Sequence, residues 1–203
     1  MRGESAMLIF TSFGFRSPIV SEKLKGELET KGKSVLIVPF AGFNEINCAD
    51  REKAGLCEFG FEEGNVFICQ SKESIDCTYD YIYVPGGDTF KLLKAVREKG
   101  LMEPLRNMVE EGSIYIGVSA GAELATQNLE YVKFLEDNNY SIDNFDGLGL
   151  VEDIILPHYD QRGIFDKLCC ASTGDVKRKI VGINNDGVVI YDSAGKACDI
   201  RYI

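Results

Sequence analysis

Ile114-Tyr115-Ile116-Gly117-Val118-Ser119-Ala120-Gly121-Ala122-Glu123 decides how the rest of the chain is read. An apolar, β-favouring run climbs out of a polar segment and ends on Gly-Val-Ser-Ala-Gly. Helix-friendly Ala122, Glu123, Leu124 and Ala125 follow at once. Strand, sharp turn and helix start in that order are the context of a nucleophile elbow, G-x-S-x-G. The reason is steric: a serine at the tip of a cramped turn needs small neighbours so that backbone and substrate can approach. The helix that follows also turns its free N–H groups toward developing negative charge. The plainer alternative is a glycine-rich strand-to-helix loop whose serine simply caps the helix.

Working outward, other apolar runs fall into the same rhythm. Met7–Thr11, Ser34–Phe40, Asn65–Cys69 and Tyr81–Pro85 read as strands before the elbow. Helices are expected over Ser21–Leu28, over Asp50–Phe59 with Asp50 as cap, and over Phe90–Glu111 with a break at Gly100. After a polar loop, Leu148–Val151 and Ile154–Leu156 lead a strand into Pro157-His158-Tyr159-Asp160, and a helix is expected over Ile164–Cys170. Lys179–Ile183, Gly187–Tyr191 and Ala197–Ile200 read as closing strands, the last two as an antiparallel hairpin. Continuous apolar strands alternating with helices predict an α/β fold: a mostly parallel sheet with helices on both faces and antiparallel C-terminal edge strands. With 203 residues and no linker or repeat, one domain over residues 1–203 is the expectation.

Composition narrows the function. A formal net charge of −10 disfavours nucleic acid and anionic membrane as partners. No apolar run approaches the roughly 20 residues of a membrane span. Met1 to Phe10 lack the long apolar core of a secretory leader, so a cytoplasmic location is expected. The seven cysteines (Cys48, Cys57, Cys69, Cys77, Cys169, Cys170 and Cys198) are odd in number and show no C-x-x-C spacing. A disulfide framework or structural zinc site is therefore not expected. There is one histidine, His158, in the whole chain. Any chemistry needing an imidazole must use it, and a multi-histidine metal site is excluded. No metal and no cofactor are expected; a small peptide is the expected partner, and a homodimer is compatible with the sequence.

Ligands of such sheets gather at the C-terminal ends of the strands. Three loops there carry chemistry. A serine nucleophile at neutral pH needs a base, and His158 is the candidate for Ser119. Its plainer reading is a half-buried histidine packed after a strand, but polar residues follow it directly. An oxyanion needs two donors. The N–H of Ala120 is one, and the close-approaching backbone of Gly86-Gly87 suits the other. Asp88 is a favoured helix cap and also a candidate to face a substrate amine. The acid that would orient His158 stays open: Glu130 after the elbow helix, Asp160 two residues past the histidine, with Asp137 and Asp153 weaker.

The three loops together resemble the peptidase E family of serine peptidases, aspartyl dipeptidases whose relatives include cyanophycinases. The likeness is carried by Pro85-Gly86-Gly87-Asp88-Thr89-Phe90-Lys91-Leu92-Leu93, by Gly117-Val118-Ser119-Ala120-Gly121-Ala122, and by Gly147-Leu148-Gly149-Leu150 running on to Leu156-Pro157-His158-Tyr159. It implies a fold like the class I glutamine amidotransferase domain and a Ser-His-acid mechanism with Ser119 and His158. It also implies an oxyanion hole from Gly86, Gly87 and Ala120. For the acid it implies Glu130, the nearest match to the family's position after the serine. The amidotransferase relatives, with an acid two residues after their histidine, point instead to Asp160. The family's N-terminal Asp specificity relies on a basic residue beyond the histidine, where Arg162 stands beside Tyr159. The implied activity is hydrolysis of short peptides. Ester or isopeptide hydrolysis on the same residues, and a non-catalytic binding module of the same fold, are the alternatives.

Overall fold

The computed structural model describes residues 7–75, 77–162, 178–191 and 200–203. The helix expected over 164–170, the first residues of the last strand, and Cys169, Cys170 and Cys198 lie outside the described residues. The elements run β1 (Leu8–Thr11), α1 (Pro18–Leu24), β2 (Val35–Ile37), α2 (Glu45–Phe59), β3 (Val66–Ile68), β4 (Tyr81–Val84), α3 (Thr89–Glu98) and α4 (Met102–Glu110). They continue with β5 (Ile114–Val118), α5 (Ala120–Leu124), β6 (Ile154–Pro157), α6 (Tyr159–Arg162), β7 (Ile180–Ile183), β8 (Val188–Tyr191) and β9 (Ile200–Tyr202).

Seven strands form one sheet in the order β3-β2-β4-β5-β1-β8-β9. Pairing is parallel from β3 through β1 and antiparallel from β1 to β8 and β9, the mixed edge the sequence predicts. Period-2 alternation sends side chains to two separate cores. Leu8, Phe10, Leu36, Ile82, Val84 and Tyr115 join the core under α3, α4 and α5. Ile9, Val35, Ile37, Tyr81, Tyr83 and Ile116 join the core under α1 and α2. Both faces of the sheet are thus covered, which is why its strands read as unbroken apolar runs.

The structure departs from the sequence reading in three places. Helix α2 starts at Glu45 rather than Asp50, because the Asn44 side chain accepts the Asn47 N–H at 3.0 Å and caps it there. Helix α1 starts earlier as well, at Pro18 after a Ser17 cap. Strands β6 and β7 do not extend the main sheet; they pair with each other as a separate parallel ribbon. The expected break in the long helical stretch does fall at Gly100, whose φ of 66° suits glycine and ends the helix.

The ribbon carries His158, so its attachment to the main sheet matters. Ile155, Leu156, Val181 and Ile183 pack into the same core as Leu124 of α5. Tyr131 donates its hydroxyl to the Ile155 carbonyl at 2.8 Å. At the end of β1, the fully buried Ser12 hydroxyl donates to the Ile183 carbonyl at 3.0 Å and accepts the His158 N–H at 2.9 Å.

The elbow is held in a similar way. Ser119 N–H bonds to the Thr11 carbonyl at 2.9 Å. A side chain at Gly121 would put its Cβ 2.0 Å from the Val84 carbonyl oxygen, so only glycine lets α5 cross β4 this closely. Tyr115, fully buried, donates to the Gly121 carbonyl at 2.7 Å, and burial pushes its phenol pKa well up, keeping it a donor.

Removing either buried hydroxyl strands its partners, at a cost of about 1–3 kcal/mol for a buried unpaired group. Ser12→Ala leaves two partners unpaired and Tyr115→Phe one. Urea unfolding is expected to show both variants less stable than the parent, with Ser12→Ala the larger loss.

Candidate active site

The ends of β4, β5 and β6 bring the double-glycine loop, Ser119 and His158 to one edge. Two of these residues sit in backbone conformations that L-residues rarely adopt. Ser119 has φ 50°, ψ −113°, and His158 has φ 57°. Strain of this kind costs on the order of 1–3 kcal/mol per residue and persists where surrounding contacts enforce it. At Ser119 the enforcing contacts are the Thr11 carbonyl on its N–H and the N–H groups of Ala122 and Glu123 on its carbonyl. At His158 the Ser12 hydroxyl does this.

The strain aims the side chains at one another. Ser119 Oγ lies 3.0 Å from His158 Nε2. The hydroxyl makes no cap bond to α5, which disposes of the simple capping role. Both residues are partly exposed, so a ligand can reach them. Phe13, in the loop after β1, packs edge-on against the imidazole with ring centroids 5.1 Å apart. The Arg16 guanidinium lies over that phenyl ring, 5.9 Å from its centroid.

On the far side of the ring, His158 Nδ1 lies 2.7 Å from Asn185 Oδ1. An amide oxygen only accepts, so the proton of a neutral imidazole sits on Nδ1 and leaves the Nε2 lone pair to Ser119. Asn185 belongs to the turn between β7 and β8, and its N–H donates to Asp160 Oδ1 at 3.2 Å. Neither acid that the sequence offers therefore stands at Nδ1. Asp160 accepts from the Asn185 backbone instead. Glu130 is exposed and pairs with Lys133 one helical turn on at 3.0 Å, the ordinary surface partner of a carboxylate at that spacing. Of the weaker candidates, Asp153 accepts the Tyr191 hydroxyl at 2.8 Å, and Asp137 is exposed.

The double-glycine loop lies against the serine. A Cβ on Gly86 would fall 2.9 Å from Ser119 Cβ. Gly87 has φ 153°, and a Cβ there would meet the Ala41 carbonyl oxygen at 2.2 Å, so glycine is required for this approach. Asp88 caps α3, accepting the Lys91 N–H at 2.8 Å, as its position in the sequence predicts. The Ala120 N–H opens α5 and by position has no acceptor within the helix. Tyr159 packs its ring on Gly182 and lines a cavity of about 480 Å³ with Lys23, Asn184 and Asp186, a cavity that Ser119 does not line. Arg162 closes α6, and its side chain lies outside the described residues.

Two carboxylates beside the glycine loop carried no signal in the sequence. Glu123, fully buried one turn after Ser119, accepts the Thr89 hydroxyl at 2.6 Å. Glu136 accepts the Thr89 N–H at 3.1 Å. They tie the start of α3 to α5 and to the loop after it, fixing the glycine loop relative to the elbow. Among the described residues no group of three or more His, Cys, Asp or Glu is gathered to hold a metal ion, and no helix is long and apolar enough to cross a membrane.

Solved structures share this arrangement of elements. A candidate peptidase E of Listeria monocytogenes EGD-e superposes with a TM-score of 0.73 over 98% of this chain and 99% of its own, at 24% identity. A peptidase from an acI-B1 Actinobacterium gives 0.65 over 98% and 87%, at 18% identity. In sequence, peptidase E of Shigella flexneri serotype 5b is 31% identical over 147 residues, covering 70% of this chain and 60% of its own. An uncharacterised peptidase of Listeria innocua is 28% identical over 177 residues, 82% and 84% of the two chains. The aligned part thus spans about 60% of the length of the peptidase E relatives. The match to peptidase family S51 runs from residue 8 to residue 196, nearly the whole sequence, and the chain belongs to that family.

Proposed function

We propose that the protein is a serine peptidase that hydrolyses short peptides by acyl transfer through Ser119, with N-terminal Asp as the preferred feature. The observation that carries this reading is the 3.0 Å contact between His158 Nε2 and Ser119 Oγ. It joins two residues held at left-handed φ. Strain of this kind gathers at functional sites, which supports a working site over an inert loop.

The chemistry follows from the geometry. Ser119 Oγ attacks the scissile carbonyl carbon while its proton passes to Nε2. The carbonyl π pair moves onto oxygen, which faces the Ala120 N–H and the Gly86-Gly87 backbone. The intermediate collapses as Nε2 returns the proton to the leaving nitrogen and the C–N bond breaks. Water, deprotonated by the same imidazole, then releases the acid and regenerates Ser119.

The substrate rests on less direct support. The peptidase E relatives and the three matching loops support a peptide bond as the target. Asp88, with one carboxylate oxygen in the helix cap, has a second that suits the substrate's ammonium group. Arg162 is proposed to meet an acidic side chain, since a planar guanidinium matches a carboxylate two bonds at a time. The net charge of −10 fits a protein that works free of nucleic acid and anionic membrane, and the proposed setting is the cytoplasm.

Ser119→Ala is expected to lower hydrolysis of Asp-p-nitroanilide by about 10³-fold or more and to abolish labelling by a fluorophosphonate probe, with the thermal midpoint retained. Parallel rates on Ala-p-nitroanilide and on a simple ester test the substrate class. Undiminished peptide hydrolysis in Ser119→Ala would refute the proposal, and an ester-only activity would refute its peptide specificity.

A further inference from the structure

We infer that Arg16, on the loop after β1, binds the α-carboxylate of the residue that leaves, and so fits the site to dipeptides. The inference rests on the catalytic reading of Ser119 and His158 and adds to it where the substrate ends. Three observations meet in it. The sheet order β4-β5-β1 puts the strand before the glycine loop and the strand before Arg16 on opposite sides of the strand that ends in Ser119. Phe13 packs on the His158 ring, and the Arg16 guanidinium lies over Phe13. Arg16 is exposed, and among the described residues it makes no hydrogen bond and no ion pair. The turn Gly14–Arg16 packs against α2, but the buried acid there, Glu52, is taken by the Tyr83 hydroxyl at 2.8 Å and by Arg51 at 2.8 Å. Asp186, on the other flank, accepts the Ser17 hydroxyl at 2.8 Å.

The chemistry decides which part of the substrate this guanidinium meets. Nε2 hands its proton to the leaving nitrogen, so the leaving residue lies on the imidazole side of Ser119. The acyl part and its ammonium group lie toward the glycine loop and Asp88. Ring to ring, Phe13 and His158 are 5.1 Å apart, and the guanidinium carbon is 5.9 Å from the Phe13 centroid. The guanidinium carbon is therefore within about 11 Å of the imidazole centre. A leaving amino acid spans about 2.5 Å from nitrogen to carboxyl carbon. A hydrogen bond of about 3 Å at each end, with the widths of the groups themselves, brings the reach to roughly 10 Å. A product one residue longer sets its carboxylate about 3.6 Å further out, beyond the same contact. The planar guanidinium offers a carboxylate two parallel bonds, and a neutral amide cannot replace that charge.

Three substrates that share one scissile bond test this: Asp-Leu, Asp-Leu amide and Asp-Leu-Ala. The parent is expected to cleave Asp-Leu with a kcat/KM about tenfold or more above the other two. Arg16→Gln, a change at an exposed position, is expected to bring both ratios near one. Arg16→Lys, which keeps the charge without the fork, is expected to fall between. The ratios separate recognition from support, because a residue that acted only by bracing Phe13 against His158 would change all three rates together. A parent that cleaves the amide as fast as the acid, or an Arg16→Gln variant that keeps the parent's ratios, overturns the inference and leaves the catalytic reading intact. A parent that cleaves none of the three and takes no fluorophosphonate label overturns both.

Discussion

Ser12 Oγ makes two hydrogen bonds at the end of β1, one to Ile183 of β7 and one to His158 just after β6, and the rest of the site depends on them. Ser119 comes from the main sheet and His158 from the end of a ribbon that shares no ladder with that sheet. Side-chain packing alone would leave the two free to slide by fractions of an ångström, and a proton transfer is sensitive to errors of that size. A buried hydroxyl with both roles filled, donor to Ile183 and acceptor from His158, has one favourable geometry. Because Thr11, its chain neighbour, binds the Ser119 N–H, the end of β1 sets Ser119 and His158 together.

This arrangement also explains where the strain is kept. Ser119 and His158 both occupy left-handed φ, and each is restrained through its backbone N–H, Ser119 by the Thr11 carbonyl of β1 and His158 by the hydroxyl of Ser12, the next residue. The strand itself is well supported, paired on both edges by β5 and β8 and buried on both faces. Rigid support at the centre of the sheet thus holds two unfavourable conformations at its end. The loop after β1 adds a further restraint through Phe13 on the imidazole, and Phe15 anchors that loop by stacking on Tyr83 at 5.6 Å.

Much of this was readable from residue order. Strands buried on both faces announce themselves as unbroken apolar runs, and β1, β2, β4, β5 and β8 fall where those runs lie. The elbow was readable because sterics leave few residue types for a turn in which α5 crosses β4 this closely. Asp88 was readable because capping is local. What was not readable depends on contacts across long separations. Nothing in Ile154–Pro157 or Ile180–Ile183 tells a separate ribbon from an edge of the main sheet, since both are short and apolar. Asn44 lies in a polar stretch, with Phe43 and Ile46 exposed beside it, so the first turns of α2 lacked an apolar stripe. Asn185 was missed for a chemical reason as well. An asparagine in a turn has an ordinary explanation, and a search for a carboxylate passes over it. Glu130 drew attention by its place in sequence, but local helix geometry handed it to Lys133.

The exposure of the site bears on what an amide at His158 Nδ1 would contribute to the proposed chemistry. Ser119, His158 and Asn185 are all partly open to solvent. Two unit charges about 4 Å apart interact by about 4 kcal/mol near a protein surface and by about 1 kcal/mol in bulk water, so a carboxylate at Nδ1 loses much of its Coulombic advantage as water gains access. Tautomer selection and ring direction come from hydrogen-bond geometry, and these hold as long as the bond itself forms. In an open site, direction is therefore the larger share of what a third residue contributes. The Asn185 turn supplies it through a 2.7 Å bond referenced, by way of Ile183 and Ser12, to the same strand end that holds Ser119.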